Sequence, residues 1–234
     1  MATILNIETS GKICSVALTK DGVVEYQLED TEGMKHAERL GPFIEKAINE
    51  VHRKDWQLDA ISVSIGPGSY TGLRIGLSMA KGLCMALDIP LIGVSTLQLL
   101  VSKAMFMSAP WNGEELFFPM IDARRMEVYG GVYDFGLNEI ISPGSIILDE
   151  NLLKNTLGEK KIYFLGDGSE KAKNIITSEN AYWLDDMYPH ARDMLALSEV
   201  AYRKGNFLDI AYSTPAYLKE WQPGPVSQHS IKTE

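Results

Sequence analysis

Long apolar stretches are missing from these 234 residues: no run approaches the roughly 18 to 20 residues that a membrane-spanning helix needs. The opening Met1-Ala2-Thr3-Ile4-Leu5-Asn6-Ile7 carries no basic segment and enters a strand pattern directly, so the chain is expected to stay in the cytoplasm, off the membrane. Cysteine is scarce. Cys14 and Cys84 stand in apolar segments far apart, without metal-ligand or redox spacing, which reads as two buried thiols in a reducing compartment. Basic residues are outnumbered, 22 Lys and Arg against 31 Asp and Glu, and the formal net charge of -9 repels a phosphate backbone as a whole. Any RNA involved is expected to be held by another protein.

Signatures of catalysis are lacking as well. His36, His52, His190 and His229 are scattered, and Leu40 stands where a second histidine would complete a helical metal pair with His36. Ser69 lies in Gly66-Pro67-Gly68-Ser69-Tyr70, which is not the Gly-x-Ser-x-Gly elbow of an acylating serine. A two-metal nuclease needs several carboxylates on neighbouring strands, whereas the first strand supplies only Glu8, and Asp122 belongs to a later part of the chain.

What is present is ample material for a core, with 45% hydrophobic residues, in a readable order. Strands are predicted over Ile4 to Ile7, Cys14 to Thr19 and Val23 to Leu28, with Asp21-Gly22 as a hairpin turn. An amphipathic helix follows from about Lys35 to Val51, with Leu40, Phe43, Ile44, Ala47, Ile48 and Val51 on one stripe. Then come strand Ala60 to Ile65, a glycine-rich turn, a helix from about Thr71 to Leu87, strand Leu91 to Val94, and a helix opened by the capping box Ser95-Thr96-Leu97-Gln98 that runs to about Met107. This βββαβαβα order matches the unit shared by ribonuclease H, actin and sugar kinases.

A polar linker, Ser108 to Gly113, precedes what reads as a shorter copy. Its elements are strands Leu116 to Ile121 and Glu127 to Tyr133, a strand near Ile146, a short helix near Asn151, strand Lys161 to Leu165, a helix after Gly168 and strand Ala181 to Leu184. The last elements are a helix over Asp193 to Lys204 and an extended Tyr212 to Lys219. The fold class is therefore α/β, two-lobed and actin/sugar-kinase-like, with ribonuclease H-like βββαβα units and a reduced second lobe. Residues 1–107 form the first lobe and 115–222 the second, whose last helix or tail packs back on the first; 223–234 are expected to be a disordered tail.

Two motifs carry alternative readings. Ile7-Glu8-Thr9-Ser10-Gly11 ends the first strand where kinases of the actin class put an acid and hydroxyls against ATP phosphate and its metal; the plain alternative is a turn whose hydroxyls cap backbone groups. Gly66-Pro67-Gly68-Ser69-Tyr70-Thr71-Gly72-Leu73-Arg74 joins strand to helix as a phosphate loop does, but it lacks the Gly-Lys-Ser/Thr ending, so positive-φ glycines and a Ser69 or Thr71 cap explain it better. Glu8, Thr9, Ser10 and Gly68 are the candidates for a vestigial phosphate loop. The following helix is apolar nearly all round, and Gly72, Gly76 and Ala80 form a row of small side chains open to close approach by another element or a second protein.

The run from Gly66 to Gly76, with Lys81-Gly82-Leu83, Ile89 to Ser95, Ile7-Glu8-Thr9-Ser10, His36-Ala37-Glu38-Arg39-Leu40, Ile121 to Tyr129, Gly166-Asp167-Gly168 and Pro215-Ala216-Tyr217-Leu218, resembles the TsaB (YeaZ) family over nearly the whole chain. The resemblance implies a non-catalytic subunit that pairs with its paralogue TsaD, the metal-bearing subunit that transfers threonylcarbamoyl to the adenosine beside the tRNA anticodon, with the ATPase TsaE joining the pair. It implies a homodimer in the partner's absence, tRNA engaged only indirectly, and no cofactor here, since ATP or ADP and metal belong to the partner subunits. The paralogue's His-x-x-x-His site falls where this chain has only His36. The partner interface is expected on the two helices, at Leu40, Phe43, Ile44, Ala47, Leu73, Gly76, Leu77 and Ala80. Glu8 stands where relatives usually carry Asp, and the rival expectation is an ATP-binding phosphotransferase or a hydrolase of this fold class.

Overall fold

The computed structural model describes residues 2–33, 35–107, 111–149, 151–152 and 160–218. Among these, ten strands form two five-stranded sheets of one topology. In the first, β1 (Thr3–Glu8), β2 (Cys14–Lys20), β3 (Val23–Asp30), β4 (Ala60–Gly66) and β5 (Leu91–Ser95) lie in the order β3-β2-β1-β4-β5. β1 runs antiparallel to β2, with Ile4 opposite Thr19, and parallel to β4, with Ile4 opposite Ala60. Asp21 and Gly22 both take positive φ, 53° and 80°, as the tight β2–β3 turn requires. In the second sheet β6 (Leu116–Asp122), β7 (Glu127–Tyr133), β8 (Glu139–Ile147), β9 (Ile162–Leu165) and β10 (Ala181–Leu184) repeat the order as β8-β7-β6-β9-β10.

The helices differ between the repeats. α1 (His36–Arg53) and α2 (Tyr70–Leu87) cover one face of the first sheet, where Leu5, Ile7, Val16 and Leu18 meet Leu40, Ile44, Ala47, Val51, Leu77 and Ala80. α3 (Thr96–Met105), whose Ser95 cap accepts the Gln98 N–H, packs Leu97, Leu100, Val101 and Ala104 on Phe117, Ile121, Tyr133 and Leu165 of the second sheet. α4 (Ser169–Ala172) is a single turn between β9 and β10. A 3-10 turn (Ala191–Met194) leads into α5 (Leu195–Arg203), so the expected helix over Asp193 to Lys204 starts as a tighter turn and then straightens. α5 crosses back to the other face of the first sheet, against Ile4, Ala60, Ile92 and Val94. There Ser198 Oγ donates to Asn6 Oδ1 at 2.7 Å and lies 2.8 Å from Ser62 Oγ, which satisfies polar groups buried under the helix.

Each sheet thus receives a covering helix that follows the other sheet, and this ties the lobes together. Beyond α5 the chain straps the first lobe: the Leu208 N–H donates to Leu91 O at 2.8 Å, Ala216 N–H to Ile65 O at 2.7 Å, and Lys81 Nζ to Ser213 O at 2.7 Å. The expected extended stretch at Tyr212 is held by single bonds, Lys81 of α2 donating to Ser213 O and the Ala216 N–H donating to Ile65 O near the end of β4, and does not extend the sheet as a strand; Lys219 lies outside the described residues. So do the body of the helix expected after Asn151, residues 108–110 of the linker, and the tail at 223–234.

Candidate functional site

The end of β1 gathers all four phosphate-loop candidates in one place. Ser69 caps α2 by accepting the Gly72 N–H at 3.2 Å, and its own N–H donates to Ser10 O at 2.7 Å. A Cβ on Gly68 would strike the Ser10 carbonyl, so glycine is required for this close approach. Thr9 Oγ1 donates to Gly72 O at 2.8 Å. The two glycines of the small-residue row on α2 are filled by this same threonine: Cβ atoms added at Gly72 or Gly76 would collide with Thr9 O or Thr9 Oγ1. At these two glycines the space is taken by the β1–β2 turn.

Three of the four gathered residues are closed, and Gly68 is half-buried. Glu8 and Thr9 are 0% exposed and Ser10 2%, so a phosphate has no route to them as the chain stands. Glu8 Oε1 accepts the Ser10 N–H, the kind of backbone donor a phosphate would otherwise use, while Glu8 Oε2 and Ser10 Oγ lack partners among the described residues. Burial pushes the Glu8 carboxyl up to about 7; the surrounding Ser10 and Ser64 groups restrain the rise and Asp193 adds to it. His36 is a strut as well: its Nε2 lies 3.0 Å from Gly11 O at the same turn. Among the described residues there is no cluster of three or more His, Cys, Asp or Glu side chains suited to a metal. Cys14 and Cys84 are buried, and burial raises both thiols.

The two helices expected to meet a partner turn most of the named residues the wrong way for it. Leu40, Ile44, Ala47, Leu73, Gly76, Leu77 and Ala80 are buried in the chain's own interior, and Phe43 is half-buried at its margin. The apolar periodicity marked the sheet-facing stripe, as it does for any amphipathic helix lying on a sheet. What the helices present outward is unequal. α1 shows Glu38, Arg39, Glu45, Lys46, His52 and Arg53, a solvated face. α2 shows Tyr70, Met79, Met85 and Leu87, of which Met85 is 74% exposed.

The strap extends this apolar surface. Tyr217 packs on Tyr70 with ring centroids 5.2 Å apart, and the Arg74 guanidinium lies 4.0 Å over the Tyr70 ring while its Nε donates to Tyr217 Oη at 3.1 Å. An open cavity of about 540 Å³ lies between Met85, Asp88 and Ile89 of the α2 end and Ile210 and Ala211 of the strap. The nearly all-round apolar character of this helix in the sequence is what leaves Met79 and Met85 outside the core. Nothing local in the sequence marks Tyr217, which joins the surface from 143 residues beyond Arg74.

Residues 31–220 match the family described as TsaD: tRNA N6-adenosine threonylcarbamoyltransferase. The chain is 29% identical over 224 residues to the tRNA threonylcarbamoyladenosine biosynthesis protein TsaB of Escherichia coli, covering 92% of this chain and 94% of that protein. It is 30% identical to the Haemophilus influenzae protein of the same name over 93% of both chains, and 31% identical to that of Bacillus subtilis over 74% and 75%. Among solved structures, YeaZ from Pseudomonas aeruginosa superposes with a TM-score of 0.76 at 27% identity, covering 93% of this chain and all (100%) of that one.

Proposed function

Because the chain belongs to the TsaB (YeaZ) family, we propose that it serves tRNA threonylcarbamoyladenosine biosynthesis as a supporting subunit that pairs with a TsaD-like paralogue and performs no chemistry of its own. The observation that carries this is the outer face of α2. Tyr70, Met79, Met85 and Leu87 are large, apolar and open to water on a helix whose other side is already packed, beside a neighbouring helix whose outer face is charged. Several large apolar side chains left open to water on one helix favour a protein partner. The sealed end of β1 supports the absence of chemistry, since Glu8, Thr9 and Ser10 are turned to internal bonding rather than to a ligand. A TsaE-like ATPase joins the pair, and in the paralogue's absence the same face pairs with a second copy.

The test is co-purification. Met79→Glu with Met85→Glu places two charges on the α2 face without touching the core and should abolish co-elution with the TsaD-like paralogue while the far-UV dichroism stays unchanged. Co-elution at wild-type strength by the double variant would overturn the assignment. Substitution at Ala80 would not serve, because that residue is wholly enclosed and a large replacement there disrupts the fold itself.

A further inference from the structure

We propose that the tip of the β6–β7 hairpin, Arg124 and Arg125, is a contact for the phosphate backbone of an RNA engaged by the assembled complex; the inference rests on the pairing proposed above. Arg124 and Arg125 take consecutive left-handed conformations, φ 69° and 49°, where Asn-Gly is the conformationally cheap choice. The tip is braced from behind. Asp122 Oδ1 accepts the Arg124 N–H and, at 2.7 Å, the Lys171 ammonium; Lys171 Nζ also donates to Glu127 O at 3.1 Å, and Asp167 Oδ1 accepts the Asp122 N–H at 2.9 Å.

That brace leaves the arginines free. Lys171 and a backbone N–H engage the Asp122 carboxylate, and among the described residues neither guanidinium has a hydrogen-bond or ion-pair partner. Both side chains are exposed. Lys12, exposed on the β1–β2 turn, lies within electrostatic reach of Asp122 and Asp167 and brings a third cation to the same rim.

A planar guanidinium with free donors suits a phosphate oxygen pair. The tip offers charge and one half-exposed side chain, Met126, but no aromatic anchor of the kind that centres protein interfaces, whereas a phosphate contact needs only cations held in place. The chain's net charge of -9 keeps such a contact too weak to hold RNA alone, so the role is to orient an RNA bound by the complex.

Arg124→Asn with Arg125→Gly removes both cations while giving the turn its preferred residues, so folding is retained. The measurement is binding of a tRNA transcript by the complex with the TsaD-like paralogue, titrated across salt. The variant complex should assemble normally yet bind more weakly at low salt. Between about 50 and 200 mM salt the wild type should lose about tenfold more affinity than the variant, as release of counterions from two phosphates requires. Arg124→Lys with Arg125→Lys should retain most of the affinity. Equal salt slopes for the Asn-Gly variant and wild type overturn the proposal. So does displacement of the RNA by excess ATP, which would assign the tip to a nucleotide phosphate. Failure of the Asn-Gly variant to assemble also overturns it, by making the tip a protein contact. If the wild type itself does not co-elute with the paralogue, the pairing fails and the RNA contact that rests on it falls with it; equal salt slopes in an assembled complex overturn the contact alone.

Discussion

The ends of β1 and β6 are the same device used in opposite ways. Each strand finishes in a carboxylate, Glu8 or Asp122, that accepts the N–H two residues onward, from Ser10 or Arg124. Each lies against a Gly-x-Gly-Ser turn, Gly66 to Ser69 or Gly166 to Ser169, whose first glycine has φ 108° or 93°. The difference is the helix that follows. α2 has 18 residues, and its Gly72 and Gly76 press on Thr9 and seal the turn; α4 has 4 residues and leaves Asp122 to Met126 in water. The electrostatics divide accordingly. Burial lifts the Glu8 carboxyl to about 7. At Asp122 burial also pushes upward, but the Lys171 hydrogen bond, the Arg124 N–H and the charges of Lys171 and Lys12 outweigh it, and the carboxyl settles below its ordinary value. The length of a crossover helix thus decides whether a strand-end turn becomes core or surface.

The sharpest way to break this comparison is to crowd the sealed turn. Gly72→Ala drives a methyl into the Thr9 carbonyl and should cost about 3 kcal/mol in chemical denaturation. Gly168→Ala meets its nearest atoms at 3.0 Å and should cost about half as much by the same overpacking. Equal losses would mean that the first turn is no tighter than the second.

The pH dependence comes next and has opposite signs at the two carboxylates. Glu8 has a folded value raised from 4.5 to about 7, so its contribution to stability is fully present below about 4.5 and is lost as pH rises through about 7. Glu8→Gln should therefore leave stability near pH 4 unchanged and raise it near pH 8 by about 3 kcal/mol. Asp122, with its lowered value, contributes above its unfolded range and loses that contribution as pH falls, so Asp122→Asn should flatten only the acidic limb of the profile. An alkaline limb unchanged by Glu8→Gln would separate the two turns less than their geometry does.

Smaller still is Thr9→Val, which keeps the shape but removes the 2.8 Å bond to Gly72 O and should cost about 1 kcal/mol. The mildest change is Arg124→Asn with Arg125→Gly, which should raise stability in chemical denaturation slightly, by about 0.5 kcal/mol, because the left-handed pair suits those residues. A loss of stability there would show that the arginines are structural.

Much of the architecture was legible in the sequence because it is written in local patterns. The Asp21-Gly22 hairpin, the Ser95 capping box and the alternation of strand and helix lie close to their places in the structure. The four residues Glu8, Thr9, Ser10 and Gly68 were identified from their motifs, and the structure does bring them together. Their burial was not legible, because the element that closes over them is 60 residues away, at the start of α2. The same limit applies to the two helices: helical spacing locates an apolar stripe, but Leu40, Leu77 and Ala80 of that stripe meet the chain's own sheet, and the side chains left exposed on α2 include Tyr70, Met79 and Met85.

By itself the sequence determined the repeated strand and helix order, the turns between strands and the absence of metal and nucleophile patterns, all of which depend on residues near one another in the chain. Tertiary structure alone decided which apolar residues remain outside, that Thr9 takes the space at Gly72 and Gly76, and that Tyr217 returns to stack on Tyr70. Those outcomes turn on packing between segments distant in sequence, where one face can be covered only once and the order of covering is set by the fold.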